Sequence, residues 1–432
     1  MNACDIIFKT KRKQPLSYDE MKWFIDGYVN GNIPDYQVSA WLMAVCFNPL
    51  TKEETKNLTI IMRDSGEVSD LFGVGAVTAD KHSTGGIGDK TSLVIAPVCA
   101  ACGLHVPKMS GRGLGFTGGT IDKLESISGF NVSMSFEKYI ETVKNTGTAI
   151  ISQSGNLVPA DKKLYALRDI TSTVDSIPLI CSSIMSKKLA TGADCILLDV
   201  KTGSGAFMKN PDEAEKLASL MTEIGNDSGK KCRALITDMN QPLGHAVGNA
   251  LEVEEAVQVL RGSQKGRLYE LCMILAANML ELAGKGSYDK CLKNAESSIQ
   301  NGDALRKFRE MVEAQGGDSR FTEDLSLLPH AEHKLEIHAD MDGFISSVNS
   351  EDIGFAALMT GAGRSRKEDN IDHSAGIIMN CEIGSFVSRN DVIMTLYSGN
   401  RKNLDAAAER AKRAIAITPD MPEIPPLVYK II

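Results

Sequence analysis

The sequence predicts an α/β protein with a helical N-terminal segment and a C-terminal α+β subdomain, and three observations lead there. Two capping boxes, Ser17-Tyr-Asp-Glu20 and Thr51-Lys-Glu-Glu54, open helical runs within the first 65 residues. From Gly75 onward, short apolar runs alternate with helical ones, the pattern of a mainly parallel sheet covered by helices. From residue 335 the pattern changes to strand-like stretches and turns mixed with helices. A chain of 432 residues, 43% hydrophobic and 24% charged, suits two or three globular domains.

In order, the Ser17 helix runs to about Gly31, Asp35 caps a helix over 36–47, and Thr51 opens one through Met62. Trp23, Phe24, Trp41, Leu42 and Met43 supply a bundle core, part of which could serve a subunit contact. The polar segment 64–70 is a first hinge. A strand over 74–78 and a helix over 93–102 flank a glycine-rich loop, and Ser135 opens another helix. A break at 153–159 precedes helical sequence over 160–189, and 191–194 breaks it again before a strand over 195–200. Then come a helix over 211–225, a strand over 232–237 and helices over 251–313. The C-terminal part reads as strands within 335–345 and 391–397, with helices over 353–359 and 404–416.

Composition excludes several classes of function. The net charge is −8 with scattered Lys and Arg, so no nucleic-acid track exists and a small anion must be captured locally. No apolar run approaches the roughly 20 residues that span a bilayer. The first 13 residues lack the apolar core of a secretory signal. Ten cysteines stand singly or as Cys99-Ala-Ala-Cys102 without a second pair, which reads as buried thiols in a reducing cytoplasm.

Two stretches carry chemistry. In Lys108 to Glu125, five glycines sit among Ser110, Thr117 and Thr120 with basic flanks. Exposed N–H groups, hydroxyls and a lysine make a cradle of phosphate size. Gly113-Leu-Gly-Phe-Thr-Gly118 mimics a dinucleotide fingerprint, but where that motif needs an acidic residue closing a second strand, a helix begins at Ser135. Lys81-His-Ser-Thr-Gly-Gly-Ile-Gly-Asp-Lys-Thr-Ser92 is a second anion loop between strand and helix. Asp89 interrupts its likeness to a P-loop, so triphosphate hydrolysis is not expected.

Together these loops resemble those of the pyrimidine-nucleoside and thymidine phosphorylases. The resemblance extends through Leu164-Tyr-Ala-Leu-Arg-Asp-Ile170, Ser182-Ser-Ile-Met-Ser-Lys-Lys188, Asp199-Val-Lys-Thr-Gly-Ser-Gly-Ala-Phe-Met208 and Gly248-Asn-Ala-Leu-Glu-Val253, nearly the whole chain. It implies a small all-helical domain (1–65 and 160–192) hinged to a larger mixed-sheet α/β domain (70–155 and 195–330), with a C-terminal α+β subdomain (335–432). It implies phosphate contacts at Lys81, Ser83, Ser92, Ser110 and Thr120, with Lys108 a further candidate. The pyrimidine would be held by Arg168, Ser183 and Lys187, with Tyr165, Ile180, Ile184, Phe207 and Met208 as walls and His82 touching the base oxygen O2. His82, Arg168 and Lys187 are then the catalytic group, fixed cations meeting the charge that spreads onto the departing base.

The implied activity is reversible phosphorolysis of uridine, thymidine and deoxyuridine to base and α-pentose 1-phosphate. No organic cofactor, nucleic acid or membrane is implied, and a homodimer through the helical domain is. A strict thymidine phosphorylase is the nearest alternative, although Lys108-Met-Ser110 resembles the broad-specificity members. A phosphoribosyltransferase of the same fold and a non-catalytic nucleoside-binding protein are more distant ones. Two positions depart from the family pattern: Phe116 replaces a common His, and Lys90 replaces a Thr. The Thr belongs to a potassium site matching Gly88, Leu243, Ala246 and Glu255, where the Lys90 ammonium could take the ion's place.

Overall fold

The structure, a computed structural model, describes the chain except residues 114, 154, 155, 365, 367 and 368 and the side chain at 72. Four helices come first: α1 (Ala3–Lys11), α2 (Tyr18–Val29), α3 (Asp35–Phe47) and α4 (Lys52–Arg63). Both capping boxes form, each with reciprocal side-chain and backbone bonds. Asn2 caps α1, a helix that no signal within 3–11 had announced. Asp35 is not a cap: extended Pro34 holds that position, which makes Asp35 the first helical residue. Phe24, Trp41 and Leu42 are buried, whereas Trp23 is half-buried and Met43 faces outward.

The α/β part follows with β1 (Ala79–Ser83), α5 (Thr91–Ala101), β2 (Val106–Ser110), α6 (Thr120–Leu124), α7 (Phe136–Thr146) and β3 (Thr148–Ser152). The expected strand over 74–78 is displaced into 79–83. Parallel pairing begins at Ala79 beside Cys195, and the Asp194 carboxylate accepts the Thr78 N–H instead. Lys81, His82 and Ser83 therefore lie on the strand's end and not in the loop. The helical run over 160–189 is two helices, α8 (Pro159–Ile170) and α9 (Ile177–Ala190). After them come β4 (Cys195–Thr202), α10 (Pro211–Asp227), β5 (Lys231–Asp238), β6 (Ala246–Val247), α11 (Asn249–Leu260), α12 (Arg267–Leu282), α13 (Tyr288–Gln300) and α14 (Asp303–Ala314).

The C-terminal part adds β7 (His333–His338), β8 (Gly343–Val348), α15 (Ser350–Ala357), β9 (Gly376–Met379), β10 (Phe386–Val387), β11 (Val392–Ser398), α16 (Lys402–Arg413), β12 (Ile415–Thr418) and β13 (Val428–Ile431). The helix expected over 404–416 stops at Arg413, because Ile415 and Ala416 pair with β8. In the main sheet β1, β4 and β5 run parallel, and β13 closes its edge antiparallel. That makes the sheet mixed. β2 and β3 form a separate parallel pair. The hinge at 64–70 lies beside the break at 153–159, expected as a second hinge, and beside the end of α9, where the third begins: Glu67 N–H donates to Asn156 O at 3.1 Å and Ser69 N–H to Ala190 O at 2.7 Å. Residues 154 and 155 of the second hinge fall outside the described residues.

Candidate active site

The end of β1, the first turn of α5, the end of β2 and the first turn of α6 converge on a cavity of about 180 Å³. Ser83, Ser92, Lys108, Ser110 and Thr120, the positions at which the resemblance implies phosphate contacts, all line it. Ser92 and Thr120 stand where helix N–H groups lack internal partners, a setting that favours an anion. The loop over 111–119 folds back on itself: a Cβ at Gly119 would lie 2.1 Å from Gly113 N. That glycine serves the loop's own closure and not only approach to a ligand. Asp122 fastens the turn by accepting the Gly113 N–H at 2.6 Å.

Below the cavity lies a buried charge network. Lys81 is fully buried and does not reach the cavity wall: its Nζ meets Asp199 at 2.9 Å and donates to Thr91 at 2.7 Å. Lys201 also pairs with Asp199, at 2.9 Å. Asp89 accepts from Ser83 and Thr91; burial pushes its carboxyl up, but the Lys81 and Lys201 cations outweigh this and hold it well below the usual range. Alongside, Asp80 on β1 is shared by two lysines, Lys188 Nζ at 2.5 Å and Lys108 Nζ at 3.5 Å. Two cations on one carboxylate leave positive charge for an incoming anion. Burial lowers the Lys108 ammonium to about 8, Asp80 offsetting part of the effect and Lys188 and Lys81 adding to it.

A larger cavity of about 610 Å³ opens against α8 and α9. Arg168, Ser183 and Lys187 line it, with Tyr165, Ile180, Ile184, Phe207 and Met208 among its walls. Lys187 Nζ donates to Ser183 Oγ at 3.1 Å and to Asp161 Oδ2 at 2.7 Å, which fixes the ammonium at the cavity. Asp161 is 4% exposed, and its other oxygen has no protein partner among the described residues. Arg168 spends three N–H groups on the carbonyls of Thr173, Val174 and Leu179. A guanidinium has five such groups, so two remain for a ligand.

His82, Ser83, Arg112 and Lys187 belong to the walls of both cavities, which therefore adjoin. Burial lowers the His82 imidazole well below its ordinary range, and the cations Lys188, Lys108, Lys187 and Lys81 lower it further. His82 is thus neutral near pH 7 and can donate a hydrogen bond, but it is a poor proton source there. Sequence reasoning missed Asp80, Asp161 and Lys188. Lys188 was visible as the neighbour of Lys187. The two carboxylates become meaningful only when β1 and α8 bring them to their lysines.

Lys90, at the end of the loop between β1 and α5, is fully buried. Its ammonium donates to Leu243 O at 2.9 Å, Ala246 O at 2.8 Å and Glu255 Oε2 at 2.5 Å. Gly88 O accepts the Lys90 backbone N–H at 2.9 Å. Burial raises the Glu255 carboxyl, but Lys90 and the N–H groups of His245 and Ala246 bring it below its usual range. Among the described residues no group of three His, Cys, Asp or Glu side chains could hold a metal ion. No helix is long and apolar enough to cross a membrane among the described residues.

Comparison with known proteins matches the order of the three parts of the chain. The glycosyl transferase family helical bundle domain matches residues 5–66, the a/b domain of that family 75–305, and the pyrimidine nucleoside phosphorylase C-terminal domain 344–418. Pyrimidine-nucleoside phosphorylases from Staphylococcus haemolyticus and Bacillus subtilis are 49% and 47% identical, each covering 100% of both chains. That from Geobacillus stearothermophilus is 46% identical over 99% of both. Among solved structures, anthranilate phosphoribosyltransferase from Thermus thermophilus shares the fold, with TM-score 0.57 and 18% identity over 72% of this chain and 99% of that one. With matching domains in order and full-length relatives near half identity, the chain belongs to the pyrimidine-nucleoside phosphorylase family.

Proposed function

We propose that the protein catalyses reversible phosphorolysis of pyrimidine nucleosides, uridine, thymidine and deoxyuridine included, giving the base and α-D-(deoxy)ribose 1-phosphate. The observation that carries the reading is that a lysine- and hydroxyl-lined cavity adjoins an aromatic-walled one, with His82 in the walls of both. Phosphate lies among Ser83, Ser92, Lys108, Ser110 and Thr120, with Lys188 and the buried Lys81 adding to the field. One phosphate oxygen attacks C1′, and the bond from C1′ to base N1 breaks with its electron pair leaving on the base. Lys187, Ser183 and the two free Arg168 N–H groups meet the charge on O2 and O4, and binding that strengthens there becomes rate. His82 donates to O2. Phosphate-dependent release of uracil from uridine tests the reading; thymidine turnover without any uracil from uridine would favour the strict thymidine alternative.

The same reading extends to the assembly and to cations. Closure about the three hydrogen-bonded hinge segments excludes water, so that phosphate is the attacking group. Phe8 on α1 and Tyr36 and Phe47 on α3 are exposed on the helical part, which supports homodimerisation there. The Lys90 ammonium replaces potassium, a reading supported by its three oxygen contacts in a fully buried site.

A further inference from the structure

Phe116 lines neither cavity, although the adjacent Thr117 and Gly118 do. Its ring packs instead on Phe355 of α15, centroids 5.1 Å apart and tilted 40°. Arg410 of α16 also packs on Phe355: its guanidinium carbon lies 4.2 Å from the ring centroid and its Nε donates to Asp352 at 2.9 Å. This approach depends on Gly354: a Cβ there would stand 2.7 Å from Phe116 O and 2.5 Å from Ile87 Cδ1. A second tie lies at the other end of the loop. Arg364 donates to Asp122 Oδ1 at 3.0 Å, and the same carboxylate holds Gly113 N–H at 2.6 Å and Arg112 at 3.1 Å. Asp122 is 2% exposed, so its charge needs these partners. The ties reach the loop from the C-terminal subdomain, which among the described residues adds none to the walls of either cavity.

We infer that Phe355 and Arg364 are positioning residues for phosphate, holding, through Phe116 and Asp122, the loop that joins Ser110 to Thr120. The C-terminal subdomain thereby sets phosphate affinity without touching the anion. The inference rests on the reading of this loop as the phosphate cradle. Loss of the aromatic pair or of the charged tie lets the loop spread before it binds, and that cost falls on phosphate and not on the base. Steady-state kinetics of Phe355→Ala, Arg364→Ala, Phe355→Tyr and Arg364→Lys test it, with Ser110→Ala as a control on the cradle. The alanine variants should raise the phosphate KM about three- to tenfold while the nucleoside KM and the kcat at saturating phosphate stay within about twofold. The tyrosine variant should keep the parent phosphate KM. Arg410→Met, which takes the cation off the Phe355 ring, gives the same readout should Phe355→Ala fold poorly. A lower Tm with an unchanged phosphate KM in the alanine variants, or an equal rise in both KM values, would overturn the inference. If Ser110→Ala also leaves the phosphate KM unchanged, the cradle reading itself falls and takes the inference with it.

Discussion

Lys187 is held by one hydroxyl and one carboxylate, and this makes its contribution separable from that of phosphate. A charge-assisted hydrogen bond contributes about 1.5–3 kcal/mol, and about 1.36 kcal/mol is tenfold in rate. Lys187→Ala should therefore lower kcat/KM for the nucleoside by about ten- to a hundredfold with phosphate affinity nearly intact, measured by initial rates against each substrate. Arg168→Ala should do the same and also lower Tm, since three carbonyls, two of them buried, lose their donor. Lys108 gives a pH prediction. Its ammonium is charged below about 8, so kcat/KM for phosphate should fall as pH rises through that value. Lys108→Arg should move the fall upward. His82, held well below its ordinary range, should add no inflection near neutral pH in kcat at saturating phosphate. The hydroxyls and cations of the site were legible because they sit in two continuous motifs. Asp80 and Asp161 were not, because a carboxylate's meaning depends on which lysine the fold places beside it: Lys188 lies 108 positions from Asp80.

At the scale of elements, α5 begins where Lys90 turns its side chain inward to the carbonyls of Leu243 and Ala246. Activity should then be nearly the same in sodium, potassium or a bulky organic cation, and Lys90→Thr should create a potassium requirement. Initial rates across those salts at constant ionic strength check this, and strong potassium activation of the unmodified protein would refute it. The capping boxes of α2 and α4 could be read directly, because each is a local pattern completed within four residues. The start of β1 could not, because Cys195 and not its own apolar run decides where pairing begins. β13 joining β5 from the far end of the chain leaves no local mark at all.

For the molecule as a whole, the helical and α/β parts meet at three adjacent backbone segments, two pairs of them hydrogen-bonded. The resemblance made the hinge positions legible; which N–H meets which carbonyl emerged only from the fold. Exposed Phe8, Tyr36 and Phe47 predict self-association, and Phe47→Glu should shift the protein from twice the chain mass to the monomer in sedimentation or light scattering. The central claim is that two adjoining cavities bring phosphate to a pyrimidine nucleoside. Its most direct test incubates the unmodified protein with uridine, with and without inorganic phosphate, and follows uracil and ribose 1-phosphate. The account predicts equal amounts of both products with phosphate and neither without it; no uracil under either condition, or the same release without phosphate, would contradict it.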